Sequence, residues 1–252
     1  MVATVAQIYR YPVKGLTPEA LTQVSVIPGQ GLPNDRRYAL HVGNNPFDPI
    51  APQWMAKTNF LMLMRDERLA KLRTRFDDAT GVLTVERDGK TVVRGNLAEA
   101  AGRMVLEQFF AAFMGGDIRR HPRLVEAPGH MFSDVAAKVI SVLGLASVAD
   151  LERVLRGRVD PLRFRANVYV AGLPPWAEFE WIGRKIQLGA VRCKIIKRIG
   201  RCAATNVDPM TGARDMNIPL SLQDAYGHTD CGVYAEIQTP GTITPGDLVV
   251  AR

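Results

Sequence analysis

Cysteine is scarce in this chain: of 252 residues only Cys193, Cys202 and Cys231 carry a thiol. So small and odd a set argues against a disulfide framework, contains no Cys-x-x-Cys redox pair and fits a reducing compartment, so the cytoplasm is the expected location. It also falls short of the roughly four closely spaced thiolates that hold a ferredoxin-type iron–sulfur cluster, and none is expected in this chain. Histidine is nearly as scarce. His41, His121, His130 and His228 are scattered, and none pairs with another histidine or a cysteine at the spacing of a zinc site. No apolar run approaches the roughly 20 residues that span a bilayer, and the opening Met1-Val2-Ala3-Thr4-Val5 lacks the charged-then-apolar plan of a signal peptide. A soluble globular protein without a membrane partner is expected. There is no Gly-x-Ser-x-Gly elbow, Walker-type phosphate loop or dinucleotide fingerprint, which argues against serine hydrolase, nucleotide hydrolase and NAD-dependent chemistry.

What is present begins with bulk. A hydrophobic content of 47% can build a sizeable core, in one large domain or two moderate ones. The net charge of +7 favours anionic partners: nucleic acid, a phosphorylated cofactor or an acidic redox protein. The densest basic clusters, Arg119-Arg120 with Arg123 and the stretch 192–201, are short, so no nucleic-acid partner is expected.

The pattern is mostly that of strands. Residues 2–9, 21–27, 37–42, 82–87 and 91–94 are short β-prone runs, with Asp88-Gly89 as a hairpin turn between the last two. Leu97, Ala101, Met104, Val105, Gln108 and Ala112 recur at helical spacing and predict a helix over 97–114, ended by Gly115-Gly116. That helix divides the chain into two modules, 1–115 and 116–252. Strands are expected at 139–143 and 167–171, around a helix at 148–155 opened by Ser147-Val148-Ala149-Asp150 as a capping box. From residue 186 onward, strands broken by glycine and proline return. The expected fold is mainly β with a few helices, an α+β class, and many short strands suggest a barrel.

The chemistry concentrates at Arg201-Cys202, just ahead of Asp208-Pro209-Met210-Thr211-Gly212. An adjacent guanidinium favours a thiolate, so Cys202 reads as a soft metal ligand or a nucleophile, and the turn puts it at the mouth of a loop. A buried structural thiol is the alternative. Lys14 and Arg36-Arg37 sit in turn segments where they can converge on a phosphate or remain surface charges. Arg165 and Asn167 alternate with Phe164 and Val168, placing a charge and an amide on one strand face. Ser147 reads as a helix N-cap whose helix end can also seat a phosphate. Asp35 and Asp208 read as turn formers.

These segments carry a resemblance. The Cys202 stretch resembles the signature of the MOSC family, named after the C-terminal part of molybdenum cofactor sulfurase. Tyr11-Pro12-Val13-Lys14-Gly15 and Gly31-Leu32-Pro33-Asn34-Asp35-Arg36-Arg37-Tyr38-Ala39-Leu40 resemble the entry to the β-barrel region that precedes many MOSC domains. Arg163-Phe164-Arg165-Ala166-Asn167-Val168 is similar to the family's Arg-Phe-Arg-Pro-Asn stretch, and residues 240–247 to its closing turn. The resemblance implies a β-barrel MOSC domain packed with an N-terminal β-rich region, and molybdenum cofactor (molybdopterin) as the bound group. It places the Cys202 thiolate on molybdenum and Lys14, Arg36, Ser147, Arg165, Asn167 and Arg201 around the pterin phosphate. Two positions depart from the family. Ala166 replaces proline, which loosens the backbone, and Phe179 stands where an aspartate follows the retained Glu178.

By resemblance to the amidoxime-reducing members, the expected activity is reduction of a small N-hydroxylated substrate by a molybdenum-dependent oxidoreductase. The alternatives are a sulfur carrier with a persulfide on Cys202 and a cofactor-binding module without turnover. Pyridoxal phosphate is not expected, since the chain has no room for the pyridoxal-dependent half of a cofactor sulfurase. No cysteine-rich segment follows the closing turn, so a separate electron donor of flavoprotein or ferredoxin type is expected, its encounter sped by the positive charge.

Overall fold

Val191, Cys193 and Ile195 point into the core while Arg192 and Lys194 between them face solvent, the two-residue period of a half-buried strand. The same alternation builds most of the computed structural model, which describes residues 2–118 and 120–251. Met1, Arg119 and Arg252 lie outside the described residues. The chain opens with β1 (Thr4–Arg10), β2 (Glu19–Leu21), β3 (Val24–Val26) and β4 (Ala39–His41). Then come β5 (Leu72–Asp77), β6 (Val82–Arg87), β7 (Lys90–Asn96) and helix α1 (Ala100–Met114). The second half begins with β8 (Arg123–Val125), β9 (Ile140–Gly144), α2 (Leu145–Leu155) and β10 (Val168–Ala171). It continues through β11 (Lys185–Leu188), β12 (Val191–Gly200), α3 (Ile218–Tyr226), β13 (Asp230–Ile237), β14 (Gly241–Ile243) and β15 (Val249–Ala251). The fold is thus mainly β, with three α-helices among the described residues.

Eight strands form one sheet in the order β15-β11-β12-β13-β9-β10-β1-β2. Its far edge returns to β1. Val5 N donates to Asp247 O, Gly246 N to Val5 O and Val249 N to Ala3 O, each at 2.8 Å, and Thr4 bridges Leu248. This barrel-like closure removes an exposed edge, and it encloses an apolar interior that includes Val5, Ile8, Val142, Val168, Ile186, Ile195, Val233 and Ile237. β1 comes from the start of the chain yet completes a sheet made largely by the second half.

A second core lies under β5–β7 and α1, around Leu72, Leu83, Val85, Leu106 and Phe110. The β6–β7 hairpin turns through Asp88 and Gly89 at φ 52° and 74°, as the Asp-Gly pair predicts. Helix α1 lies against β7 at a glycine pair: a Cβ on Gly95 would come within 2.3 Å of Gly102 O.

Four expectations need correction. Helix α1 begins three residues later than its periodicity predicts and turns a different face inward: Leu106, Phe110 and Met114 are buried, while Met104 and Val105 are exposed. Several apolar side chains satisfy helical spacing, and the core under β5–β7 takes the face that carries Leu106, Phe110 and Met114. The run 21–27 is two strands broken at Thr22-Gln23. Residues 218–226 form α3, not a strand, with Pro219 in its first turn, Ile218 and Leu222 buried on one side and Gly227 ending it at φ 73°. Finally, α2 starts at Leu145 with Gly144 as its cap, so Ser147 is not an N-cap.

Candidate functional site

A cleft of about 320 Å³ opens where the loops after β1, before β4 and after β12 meet the turns at 57–64, 131–135 and 163–167. Eight basic side chains and one carboxylate, Asp134, line it. Of the residues picked from sequence, Lys14, Arg36, Arg165, Asn167, Arg201 and Cys202 are brought together there, and Ser147 is not.

Cys202 owes its position to the end of β12. Arg201 N donates to Thr229 O at 2.9 Å, and its guanidinium donates to the carbonyls of Cys231 (Nε, 2.7 Å) and Phe164 (Nη1, 2.8 Å). Arg201 therefore clamps three segments behind the thiol. The Cys202 carbonyl accepts from Thr205 N (3.0 Å) and Oγ1 (2.9 Å), closing a tight turn over residues 203–206. Asp208 accepts from Met210 N at 2.9 Å and Thr211 N at 2.7 Å, and Gly212 has φ 74°, so the turn read from sequence is present. Buried Arg163 ties this loop down through Asn206 O (3.2 Å), Asp208 (3.1 Å) and Asp215 (2.8 Å).

The three thiols differ sharply. Burial pushes those of Cys193 and Cys231 up to about 12, and both are closed off inside the fold. Cys202 is partly exposed and faces the cleft. Beside it stands Lys57: burial works against its charge, but Asp134, 3.7 Å from its Nζ, and the neighbouring Cys202 sulfur hold the ammonium above its usual value. Asp134 also takes Lys14 Nζ at 2.5 Å, and Lys14 donates to Phe132 O at 3.0 Å. Burial lowers the Lys14 ammonium, with Asp134 opposing.

Tyr11 organises the deep wall. The guanidinium carbons of Arg36 and Arg165 lie over its ring at 4.7 and 4.2 Å. Arg36 is held by Asp35 and donates to Arg165 O at 3.0 Å. Burial drives Arg165 down to about 10, and its guanidinium makes one hydrogen bond among the described residues, to Leu16 O at 2.7 Å. Both arginines hold left-handed backbone, φ 50° and 51°, a strain that side-chain-bearing residues keep where surroundings enforce it. Arg165 thus caps a short turn and does not alternate along a strand, which corrects the expected strand face. Asn167 is spent internally, accepting from Ser141 N and Oγ and donating to Tyr9 O, so it fixes the wall between β9 and β1.

Ser147 is buried within α2, where its hydroxyl lies 2.9 and 2.8 Å from the two Glu178 oxygens and accepts from Trp176 N at 2.8 Å. The helix end that was expected to seat a phosphate is occupied by this carboxylate, which also takes Gly144 N at 3.2 Å. Burial raises the Glu178 carboxyl, against these hydrogen bonds. Between the unfolded and the raised value, the folded state binds more protons. Glu178 therefore contributes stability that is fully present below its unfolded value and is lost as pH rises through the folded one. Glu178→Gln should flatten that part of a stability–pH curve measured by denaturant unfolding; an unchanged slope would remove the assignment.

Sequence reading missed Lys57, Asp134, Lys197, Arg198 and Tyr234, all of which line the cleft. Among the described residues no group of three or more His, Cys, Asp or Glu side chains could hold a metal by itself.

The MOSC domain matches residues 114–250, and the MOSC N-terminal beta barrel domain matches residues 2–118. The chain belongs to the MOSC family. Mitochondrial amidoxime-reducing component 1 of Mus musculus is 34% identical over 120 residues, covering 43% of this chain and 35% of that protein. A molybdenum cofactor sulfurase of Caenorhabditis briggsae is 23% identical over 98% of this chain and 35% of its own length. This MOSC chain thus spans about a third of the length of these curated relatives. The solved YUAD protein of Bacillus subtilis aligns over 99% of this chain and 94% of its own, at 12% identity and a TM-score of 0.46, too remote to argue from.

The two departures from the MOSC pattern have local explanations. Ala166 N donates to Tyr169 Oη at 3.2 Å, a bond proline cannot make, so alanine here tightens the wall instead of loosening it. Phe179 packs into the barrel core and carries the Arg198 guanidinium over its ring at 4.2 Å. No helix among the described residues is long and apolar enough to cross a membrane.

Proposed function

We propose that this MOSC protein binds molybdenum cofactor and reduces small N-hydroxylated substrates. One observation carries the reading: the accessible thiol opens onto a cleft walled by eight cations and a single carboxylate. That donor set fits the group. A soft thiolate suits molybdenum, and partly unspent guanidiniums such as that of Arg165 suit a phosphate.

Cys202 would hold the metal, and Lys14, Arg36 and Arg165 the phosphate. Arg201 and Asn167 keep the wall rigid, and Ser147 supports it from behind through Glu178. When bound, the cofactor supplies the oxygen-accepting redox centre. The net reaction takes two electrons and two protons into the substrate, breaks its N–O bond and releases water. Lys57 places a positive charge beside the Cys202 sulfur, and Asp134 keeps that amine in place. Electrons come in this reading from a separate protein of flavoprotein or ferredoxin type. Three free thiols fit a reducing compartment, and we place the chain in the cytoplasm.

Elemental analysis of chain made in a host competent for cofactor synthesis should give molybdenum, and such protein should convert benzamidoxime to benzamidine with a chemical reductant. Sulfane sulfur on Cys202 without molybdenum would select the sulfur-carrier reading instead. Removing Lys14 or Arg165 should weaken cofactor retention by about 1.5–3 kcal/mol each, the value of a charge-assisted hydrogen bond. Molybdenum content after stringent washing reads this directly, and wild-type occupancy in both variants would make them ordinary charges.

A further inference from the structure

The outer face of β11 and β12 concentrates charge of one sign in a way that costs the sheet stability. Ile186, Leu188, Val191, Cys193 and Ile195 face the core, so Lys185, Arg192 and Lys194 face out, with Arg184 just ahead of β11. All four are exposed. The register sets Lys185 directly opposite Lys194, a like-charge cross-strand pair that is destabilising. None of the four is in an ion pair among the described residues, although Glu236 stands opposite Lys194 on β13. The stripe leads to the site. Past an irregularity between Ile195 and Lys197 that re-aims the strand, Lys197 and Arg198 line the cleft.

We propose that this outer face, carried by Arg184, Lys185, Arg192 and Lys194, is the docking surface for the protein that delivers electrons, and that this partner is acidic at its contact. The inference rests on the oxidoreductase reading above. Charge complementarity selects the partner: a solvated basic stripe that ends at the cleft rim steers an acidic carrier to where its electrons are needed. A nucleic acid fits less well. No aromatic side chain is interleaved along the stripe to stack on bases.

The test uses the full molybdenum-loaded chain with two probes, an acidic [2Fe–2S] ferredoxin and an acidic flavodoxin. Binding is measured by surface plasmon resonance from low to high ionic strength, and turnover of benzamidoxime is driven either by the reduced carrier or by dithionite with viologen. Lys185→Glu/Lys194→Glu should weaken carrier binding and raise the KM for the carrier by about tenfold or more, while the viologen-driven rate stays at wild-type level. Lys185→Glu alone should raise the melting temperature, because it replaces the repulsive Lys185–Lys194 pair with an attractive one and leaves Lys194 opposite Glu236.

Wild-type and double variant binding both carriers equally would overturn the proposal. So would a wild-type chain that binds neither at low salt, or one that binds a single-stranded oligonucleotide more tightly than either carrier. Carrier binding that depends on the stripe, with no viologen-driven rate in the loaded wild-type chain, would retain the acidic-protein surface and sink the oxidoreductase reading instead.

Discussion

Cys202→Ser is expected to reduce N-hydroxylated-substrate turnover to background while leaving the fold intact. The substitution replaces a soft thiolate with a hard hydroxyl that stays protonated at neutral pH, so both metal binding and nucleophilicity go. The fold survives because Cys202 is only partly buried, and its contribution to the turn comes from its carbonyl, which serine keeps. The other two thiols supply the control. Cys193 and Cys231 are fully buried, so Cys193→Ser and Cys231→Ser each place a hydroxyl in an apolar interior and cost about 1–3 kcal/mol of stability. Below their melting temperatures both should retain turnover. Equal loss of turnover in all three variants, with equal molybdenum content, would show that no one thiol is the ligand.

Arg163→Met should lower stability by about 2–3 kcal/mol. Arg163 is buried and bridges Asn206 O, Asp208 and Asp215, so methionine fills part of its volume but strands two carboxylates. Breaking a buried ion pair from one side costs more than the pair is worth, and the partial exposure of both aspartates moderates the figure. For a chain of this size the melting temperature should fall by roughly 5–10 °C. Hydrogen exchange should accelerate first over residues 203–212, since that loop is what the guanidinium holds. Arg163→Lys keeps the charge without the fork and should recover only part of the loss. A melting temperature within a degree of wild type, or exchange that accelerates evenly over the chain, would show that the loop does not depend on this clamp.

The two variants separate roles that lie side by side. Cys202→Ser removes the proposed metal ligand and should spare the scaffold, whereas Arg163→Met should loosen the scaffold and leave the thiol in place. Molybdenum content and melting temperature should therefore move independently.

Short-range patterns were legible where the residues that decide a feature are neighbours in the chain. Asp88-Gly89 predicts its hairpin, Gly115 the end of α1, and Asp208 to Gly212 the turn beside the thiol, because each depends on local φ preferences and local hydrogen bonds. The choice of α1's buried face failed for a related reason. Several apolar side chains satisfy helical spacing, and only the sheet it packs on decides between them.

By itself, the amino-acid sequence determined that this protein is mainly β, that one cysteine stands at a turn beside an arginine, and that the motifs of one family run through the chain in order. Those properties reside in composition and in contacts between near neighbours. Tertiary structure alone decided what surrounds that cysteine. It brought Lys57 and Asp134 into the same cleft as the thiol, stacked Arg36 and Arg165 over Tyr11, and turned Ser147 inward to Glu178. It also curled β15 back to β1 and set Lys185 against Lys194. Each of these pairings joins separate elements, so it exists only once the apolar faces of the strands have been buried and their register fixed.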